Sequence, residues 1–205
     1  MNDMYIWTKS NVLSKEFCQH VIDKFEIDPN KTEGRMGRGR MDPSIKKSTD
    51  LYLHDSLSWS DNWKEEIDTF YQSLSQSLSE YGEFVIEENK KVGVDYIPHY
   101  MFLETHDGGY QIQRTKVEEY YHWHGDDYCD EHSMRIITYI WYLNDVEEGG
   151  HTQFHTGISI KPEQGKILLF PSTWCYPHRG CPPVSNTKYI VTGWLYQKHP
   201  HLCNL

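Results

Sequence analysis

The chain changes texture once, near Gly93, and that change restricts the folds open to it. Beyond it, short runs rich in Val, Ile, Tyr and Trp are cut by Gly, Pro and Asp. The pattern predicts strands at about 94–103, 109–115, 119–124, 134–143, 151–155, 157–161, 166–170 and 188–196. The segments DGGY, EEGGH, KPEQGK and CPPVSN supply the turns between them. About eight short strands after a helical start predict a mainly β fold with flanking helices. The expected architecture is a jelly roll of two sheets, with the amino-terminal helices packed on one of them.

The first half carries two helical periods. Phe17, Val21, Ile22 and Phe25 recur at three and four within Ser14–Phe25, with Ser14 suited to cap the first turn. Trp63, Ile67, Phe70, Leu74, Leu78 and Tyr81 form a second stripe, predicting a long helix from about Ser60. Between them, residues 29–58 are rich in Arg and Gly around PNKTEGRMGRGRMDPS and read as a long loop, suited to act as a lid. We expect one domain over 1–205, helical over about 1–90 and β over about 91–197.

Composition narrows the function. With 7 Trp, 15 Tyr and 7 Phe the chain is too aromatic for a disordered one. A net charge of −10 argues against nucleic acid as a partner. Residues 31–47 run the other way, with Lys31, Arg35, Arg38, Arg40, Lys46 and Lys47 against Glu33 and Asp42, a local +4 able to steer an acidic ligand. The 5 cysteines fit no metal motif. The start MNDMYIWTKSNVL lacks the pattern of a signal peptide, and no apolar run is long enough to span a membrane. The expectation is a cytoplasmic protein with free thiols and no membrane or nucleic-acid partner, either monomer or homodimer.

The chemistry concentrates in YYHWHGDDY and WCYPHRG. His124 and Asp126, two apart on a strand that persists or turns gently, face one side, and His178 follows the strand at 166–170. Two imidazoles and a carboxylate suit non-haem iron(II) and leave coordination positions open. Lys188, ten residues on, adds a cation for an acidic cosubstrate. A non-enzymatic cupin-like module binding a metal or ligand is the alternative from another class, and Lys188 argues against it. A zinc hydrolase built on His122, His124 and His178 lacks a glutamate base nearby.

From about Gln111 to Tyr196 the motifs YYHWHGD, RIITYIWYLNDVEEGGHTQF, KPEQGKILLFPS, HRG and KYIVTGWLY stand in an order that resembles the 2-oxoglutarate- and iron(II)-dependent dioxygenases, in their prolyl 4-hydroxylase-like branch. The resemblance implies a double-stranded β-helix with His124, Asp126 and His178 as both metal ligands and catalytic centre. It implies Fe(II), 2-oxoglutarate and O2 as cofactor and cosubstrates, with ascorbate in support. It puts Lys188 on the distal carboxylate of 2-oxoglutarate, helped by Tyr142 and Thr192, with Thr138 and Trp194 lining the same pocket. Arg179, His122, Arg38 and Arg40 are the candidates for substrate contact. Relatives place a tyrosine about ten residues before the first ligand histidine. Here Gln113-Arg114-Thr115 stands there, so Gln113 or Thr115 is expected to make that polar contact. The implied reaction is hydroxylation of a C–H bond, of a prolyl residue in a peptide or protein, or else of a free amino acid or other small molecule. An aspartate at 126 argues against a halogenase, which needs that position vacant.

Overall fold

The computed structural model describes residues 5–54, 56–94 and 105–198, except the side chains of Arg38 and Lys198. In chain order the elements are β1 (Trp7–Lys9), α1 (Lys15–Ile27), β2 (Thr32–Glu33), β3 (Thr49–Leu53), α2 (Lys64–Lys91), β4 (Thr105–Asp107), β5 (Tyr110–Thr115) and β6 (Tyr121–His124). Then follow β7 (Ser133–Tyr142), β8 (Thr152–Phe154), β9 (Ser159–Ile160), β10 (Ile167–Pro171), β11 (His178–Gly180) and β12 (Lys188–Lys198). The main sheet runs β1-β10-β7-β12-β5-β3-β2, with β4 also on β12, and the smaller sheet runs β6-β11-β8-β9. Adjacent strands are antiparallel throughout.

The alternation of side chains across the main sheet divides the core in two. Tyr139 and Trp141 of β7, with Leu169 and Val191, join the cluster that includes Phe25, Phe70 and Leu74 of the helices. Ile140 and Tyr142, with Leu168, Phe170 and Ile190, turn the other way and meet Phe154 of the smaller sheet. The main sheet is therefore buried on both faces, which is why β7 and β10 read as nearly continuous apolar runs. Ring contacts lock the helices down: Phe70 sits 5.4 Å from Trp141 and 5.4 Å from Phe17.

The two helices form where their stripes predict. Ser14 Oγ accepts the Phe17 N–H at 3.1 Å and caps α1. A 3-10 turn over Ser58–Trp63 leads into α2, which runs ten residues past Tyr81 because Val85, Glu88 and Asn89 continue its buried face. Residues 29–58 differ from the long loop expected. Leu51 and Leu53 are fully buried, and β3 pairs along β5 from Thr49↔Arg114 to Leu53↔Tyr110. The amino-terminal part thus supplies three strands of the main sheet as well as both helices. The strand expected at 94–103 falls almost wholly outside the described residues. No described helix is long and apolar enough to cross a membrane.

Candidate active site

The site lies between the two sheets, where β6 and β11 pair. His124 and His178 are direct cross-strand partners, their ring centroids 4.3 Å apart. Past His178 the register shifts, so that Gly180 opposes Tyr121. His122 and Trp123 of β6 thus stand against Arg179 alone on β11, a bulge that rotates the strand. Tyr121 and His124 therefore both line the central cavity, while His122 and Trp123 are exposed. Asp126 follows two residues after β6 and folds back inward. Its Oδ1 lies 3.8 Å from His124 Nε2 and its Oδ2 3.6 Å from His178 Nε2. Ligand atoms of all three lie within 4.8 Å of one another, the one such cluster among the described residues.

The hydrogen bonds around the trio prepare it for a cation. His124 Nδ1 donates to the His122 carbonyl at 2.8 Å, and His178 Nδ1 to the Tyr176 carbonyl at 3.2 Å. A carbonyl only accepts, so each Nδ1 carries the proton and each Nε2 keeps its lone pair for a metal. Burial holds the His124 imidazole down to about 4, helped by the neighbouring His178. Burial pushes the Asp126 carboxyl up, but His178 and His124, then the Thr138 hydroxyl and Trp194 indole, bring it below its usual value. At neutral pH His124 is thus neutral and Asp126 ionised, the states that divalent metal binding requires.

Lys188 opens β12 and is only 4% exposed, yet it meets no carboxylate among the described residues. Its Nζ donates to the Gly150 carbonyl at 3.0 Å, and burial lowers its pKa to about 8. Thr115, its cross-strand neighbour, and Thr152, Ile190 and Thr192 line the same cavity. That cavity, about 650 Å³, runs from Lys188 past the trio to Arg35, Met36, Gly37, Gly39, Leu57 and Trp59. Two imidazoles and a carboxylate converging on one point, with an uncompensated buried ammonium on the same wall, fit a divalent metal and a dicarboxylate together.

The remaining expected residues divide. Thr192 and Trp194 line the cavity, and the Thr192 hydroxyl donates to the Tyr139 carbonyl at 3.0 Å. Thr138 stands behind the trio: its Oγ1 donates to Asp126 Oδ2 at 2.9 Å and lies 2.8 Å from Ser172 Oγ. Tyr142 sits behind the wall with its hydroxyl on Thr152 Oγ1 at 2.7 Å. His122 contributes its carbonyl, and its ring packs on Tyr120 at 4.4 Å instead of entering the cavity. Arg179 bonds Gln153 Oε1 at 2.8 Å and lies 4.9 Å from the ring of exposed Trp123, away from the cavity. Arg40 pairs with Asp42 at 3.0 Å and is exposed, and the Arg38 side chain is outside the described residues.

Other residues emerge only in three dimensions. The Tyr121 ring stacks on His124 with centroids 3.5 Å apart at 12°. Arg135 lies 3.7 Å over the Trp194 ring, with Tyr128 and Tyr196 beside it, and reaches the Asp126 carbonyl at 3.5 Å. Tyr121 stands three residues before His124, a signal that an inward-facing bulge would have explained. Arg135 gave none, because a charged residue inside an apolar strand reads equally well as a surface position.

A family model described as the 2OG-Fe(II) oxygenase superfamily matches residues 110–196. Probable prolyl 4-hydroxylase 10 of Arabidopsis thaliana is 31% identical over 90% of this chain and 66% of its own length. Probable prolyl 4-hydroxylase 3 of the same plant is 24% identical over 91% of this chain and 67% of its own. The chain thus spans about two thirds of the length of these curated relatives. Among solved structures, the viral collagen prolyl hydroxylase of Paramecium Bursaria Chlorella virus-1 in its 2OG complex superposes with a TM-score of 0.67 at 21% identity, covering 95% of this chain and 97% of that one. A Trichoplax adhaerens prolyl hydroxylase, in complex with a hypoxia inducible factor oxygen degradation domain peptide fragment, also gives 0.67, at 17% identity, covering 96% and 85%. The family match over the β half, the plant relatives and the convergent trio agree: the chain belongs to the 2OG-Fe(II) oxygenase superfamily, in its prolyl 4-hydroxylase-like branch, whose members use iron(II) and 2-oxoglutarate.

Proposed function

We propose that this protein hydroxylates a prolyl residue of a peptide or protein. His124 and His178 hold iron(II) through Nε2, and Asp126 through its carboxylate. Lys188 receives the distal carboxylate of 2-oxoglutarate, with its cross-strand neighbour Thr115 beside it and Thr192 further along the same cavity wall. When bound, iron(II) and 2-oxoglutarate would activate dioxygen, one oxygen atom entering succinate as the diacid loses carbon dioxide and the other entering an unactivated C–H bond of the substrate. The protein orients the reactants and keeps water away from them. Thr138 holds Asp126 in place by its hydrogen bond, and the two carbonyls hold the imidazole rings.

The observation that carries this reading is the Lys188 ammonium, buried without a counter-anion on the wall of the cavity that holds the trio. Burying a charge is costly unless it is paired. A dicarboxylate spanning from the metal to Lys188 provides that pair, and a structural metal site would have no use for it. The peptide assignment draws support from the cavity, which at about 650 Å³ exceeds what a five-carbon diacid fills. It also draws on the Trichoplax neighbour's peptide complex.

The test is turnover with iron(II), ascorbate, 2-oxoglutarate and proline-containing peptides, followed by succinate release and a mass gain of one oxygen on the peptide. Succinate formation with hydroxylated proline is expected. Iron-loaded protein that neither binds 2-oxoglutarate nor releases succinate would overturn the reading. Hydroxylation of free proline in preference to every peptide would overturn the substrate assignment alone.

A further inference from the structure

A buried polar chain crosses the cavity wall, and its direction is fixed by chemistry. Lys46 and Asp50 are both buried, with Nζ 2.7 Å from Asp50 Oδ2. Asp50 Oδ1 accepts from Ser48 Oγ at 2.8 Å, and Oδ2 also accepts from Gln111 Nε2 at 2.9 Å. Gln111 Oε1 in turn accepts from Gln113 Nε2 at 3.0 Å. An ionised carboxylate only accepts, so Gln111 must turn its amide nitrogen toward Asp50 and its oxygen toward Gln113. Gln113 must then turn its own nitrogen toward Gln111. One hydrogen on Gln113 Nε2 stays unused, and Gln113 Oε1 accepts nothing among the described residues. Lys46, Asp50, Gln111 and Gln113 all line the cavity.

The place of Gln113 follows from register. Lys188 pairs with Thr115, and Ile190 with Gln113, so Gln113 lies one row along the sheet from the ammonium. Two residues of strand advance about 7 Å, close to the length of an extended five-carbon diacid. A diacid anchored at Lys188 and running along this wall would bring its other end alongside the Gln113 amide.

We propose that Gln113 donates its free N–H to the metal-side carboxylate of 2-oxoglutarate, and that Asp50 and Lys46 are positioning residues acting through Gln111. This rests on the oxygenase reading above. The Lys46–Asp50 pair is well suited to that role, because a buried ion pair usually adds no more stability than an apolar pair of similar volume. What it supplies is orientation: with Asp50 gone, either amide is free to flip and present oxygen to the carboxylate.

Calorimetric titration of iron(II)-loaded protein with 2-oxoglutarate, without oxygen, tests this apart from activity. Gln113→Leu should bind 2-oxoglutarate about 10- to 100-fold more weakly, the usual loss for a hydrogen bond to a charged group. Gln113→Asn, gentler on packing, should weaken binding in the same direction. The pair Lys46→Met with Asp50→Leu should melt near the wild type and still bind several-fold more weakly. In turnover these variants should raise KM for 2-oxoglutarate and leave kcat within about twofold. Wild-type affinity in Gln113→Leu and Gln113→Asn would overturn the assignment, as would a rise in peptide KM with 2-oxoglutarate binding unchanged. A wild-type protein that binds no 2-oxoglutarate would instead overturn the oxygenase reading itself.

Discussion

Lys188 shows how one side chain links burial, charge and pH. Its ordinary value of 10.5 falls to about 8 because the cavity wall strips it of water. Between those two values the unfolded chain holds the proton that the folded one has lost, so stability without ligand rises with pH across that window; below about 8 the full cost of burying the charge remains. Binding a dicarboxylate requires the ammonium, so its affinity should be flat below about 8 and fall about tenfold per pH unit above it. Calorimetric titration with 2-oxoglutarate at pH 7 and pH 9 measures this. Lys188→Arg, charged at both values, should remove most of the slope. Thr138 makes a different kind of contribution. Thr138→Val keeps the shape but takes away the hydrogen bond to Asp126 Oδ2. Iron(II) affinity should fall about 10- to 100-fold, as is usual when a residue holding a metal ligand is lost; a competition assay with a chelator reads this, and unchanged affinity would show that the carboxylate holds itself in place.

At the scale of elements, the long-period features were legible, and so were the short β8 and β9 within the strands expected at 151–155 and 157–161, whereas β3 and β11 were not. The apolar stripes of α1 and α2 span several turns, and the runs at 134–143, 166–170 and 188–196 are dense in Ile, Leu, Val and aromatic residues. β3 escaped because TDLYL is five residues beside an Arg/Gly-rich stretch, and its strand character comes from pairing with β5. β11 escaped because HRG is three residues long, defined by its partners β6 and β8. The trio was readable because ligand chemistry restricts residue types. Tyr121 and Gln113 were harder, since their roles depend on a bulge and on a hydrogen-bond direction that no periodicity records. Close packing between elements gives a further prediction at Gly193 of β12. A Cβ there would run into the Tyr139 hydroxyl and stand 2.6 Å from the Gly109 carbonyl. Those two groups hydrogen-bond to each other at 3.0 Å beneath it. Gly193→Ala should therefore cost about 1–3 kcal/mol from overpacking, visible as a lower midpoint in denaturant unfolding.

At the scale of the whole molecule, the basic segment is more firmly built in than a free lid would be. His122 N–H donates to the Ile45 carbonyl at 2.8 Å and Lys47 N–H to the Tyr120 carbonyl at 2.8 Å, which lays residues 45–47 along β6 of the smaller sheet. Two residues later the same chain enters the main sheet as β3. Residues 45–50 thus tie the two sheets together at the side of the cavity, with the Lys46–Asp50 pair inside the tie and Lys46 5.1 Å from the face of Tyr121. What remains to move is the stretch before it. There the 3-10 turn Gly37–Gly39 lines the cavity, and exposed Arg40 and Met41 follow it. Protease susceptibility tracks local opening, so trypsin should cut first after Arg38 or Arg40 and leave Lys46 and Lys47 intact while the fold persists. Iron(II), 2-oxoglutarate and a substrate peptide together should slow that first cut, because a ligand that touches the 35–39 rim stabilises its closed form by mass action. Early cleavage at Lys46 or Lys47 would show that the tie between the sheets opens as part of the lid, and a cut after Arg38 or Arg40 that no combination of ligands slows would remove the rim from substrate binding.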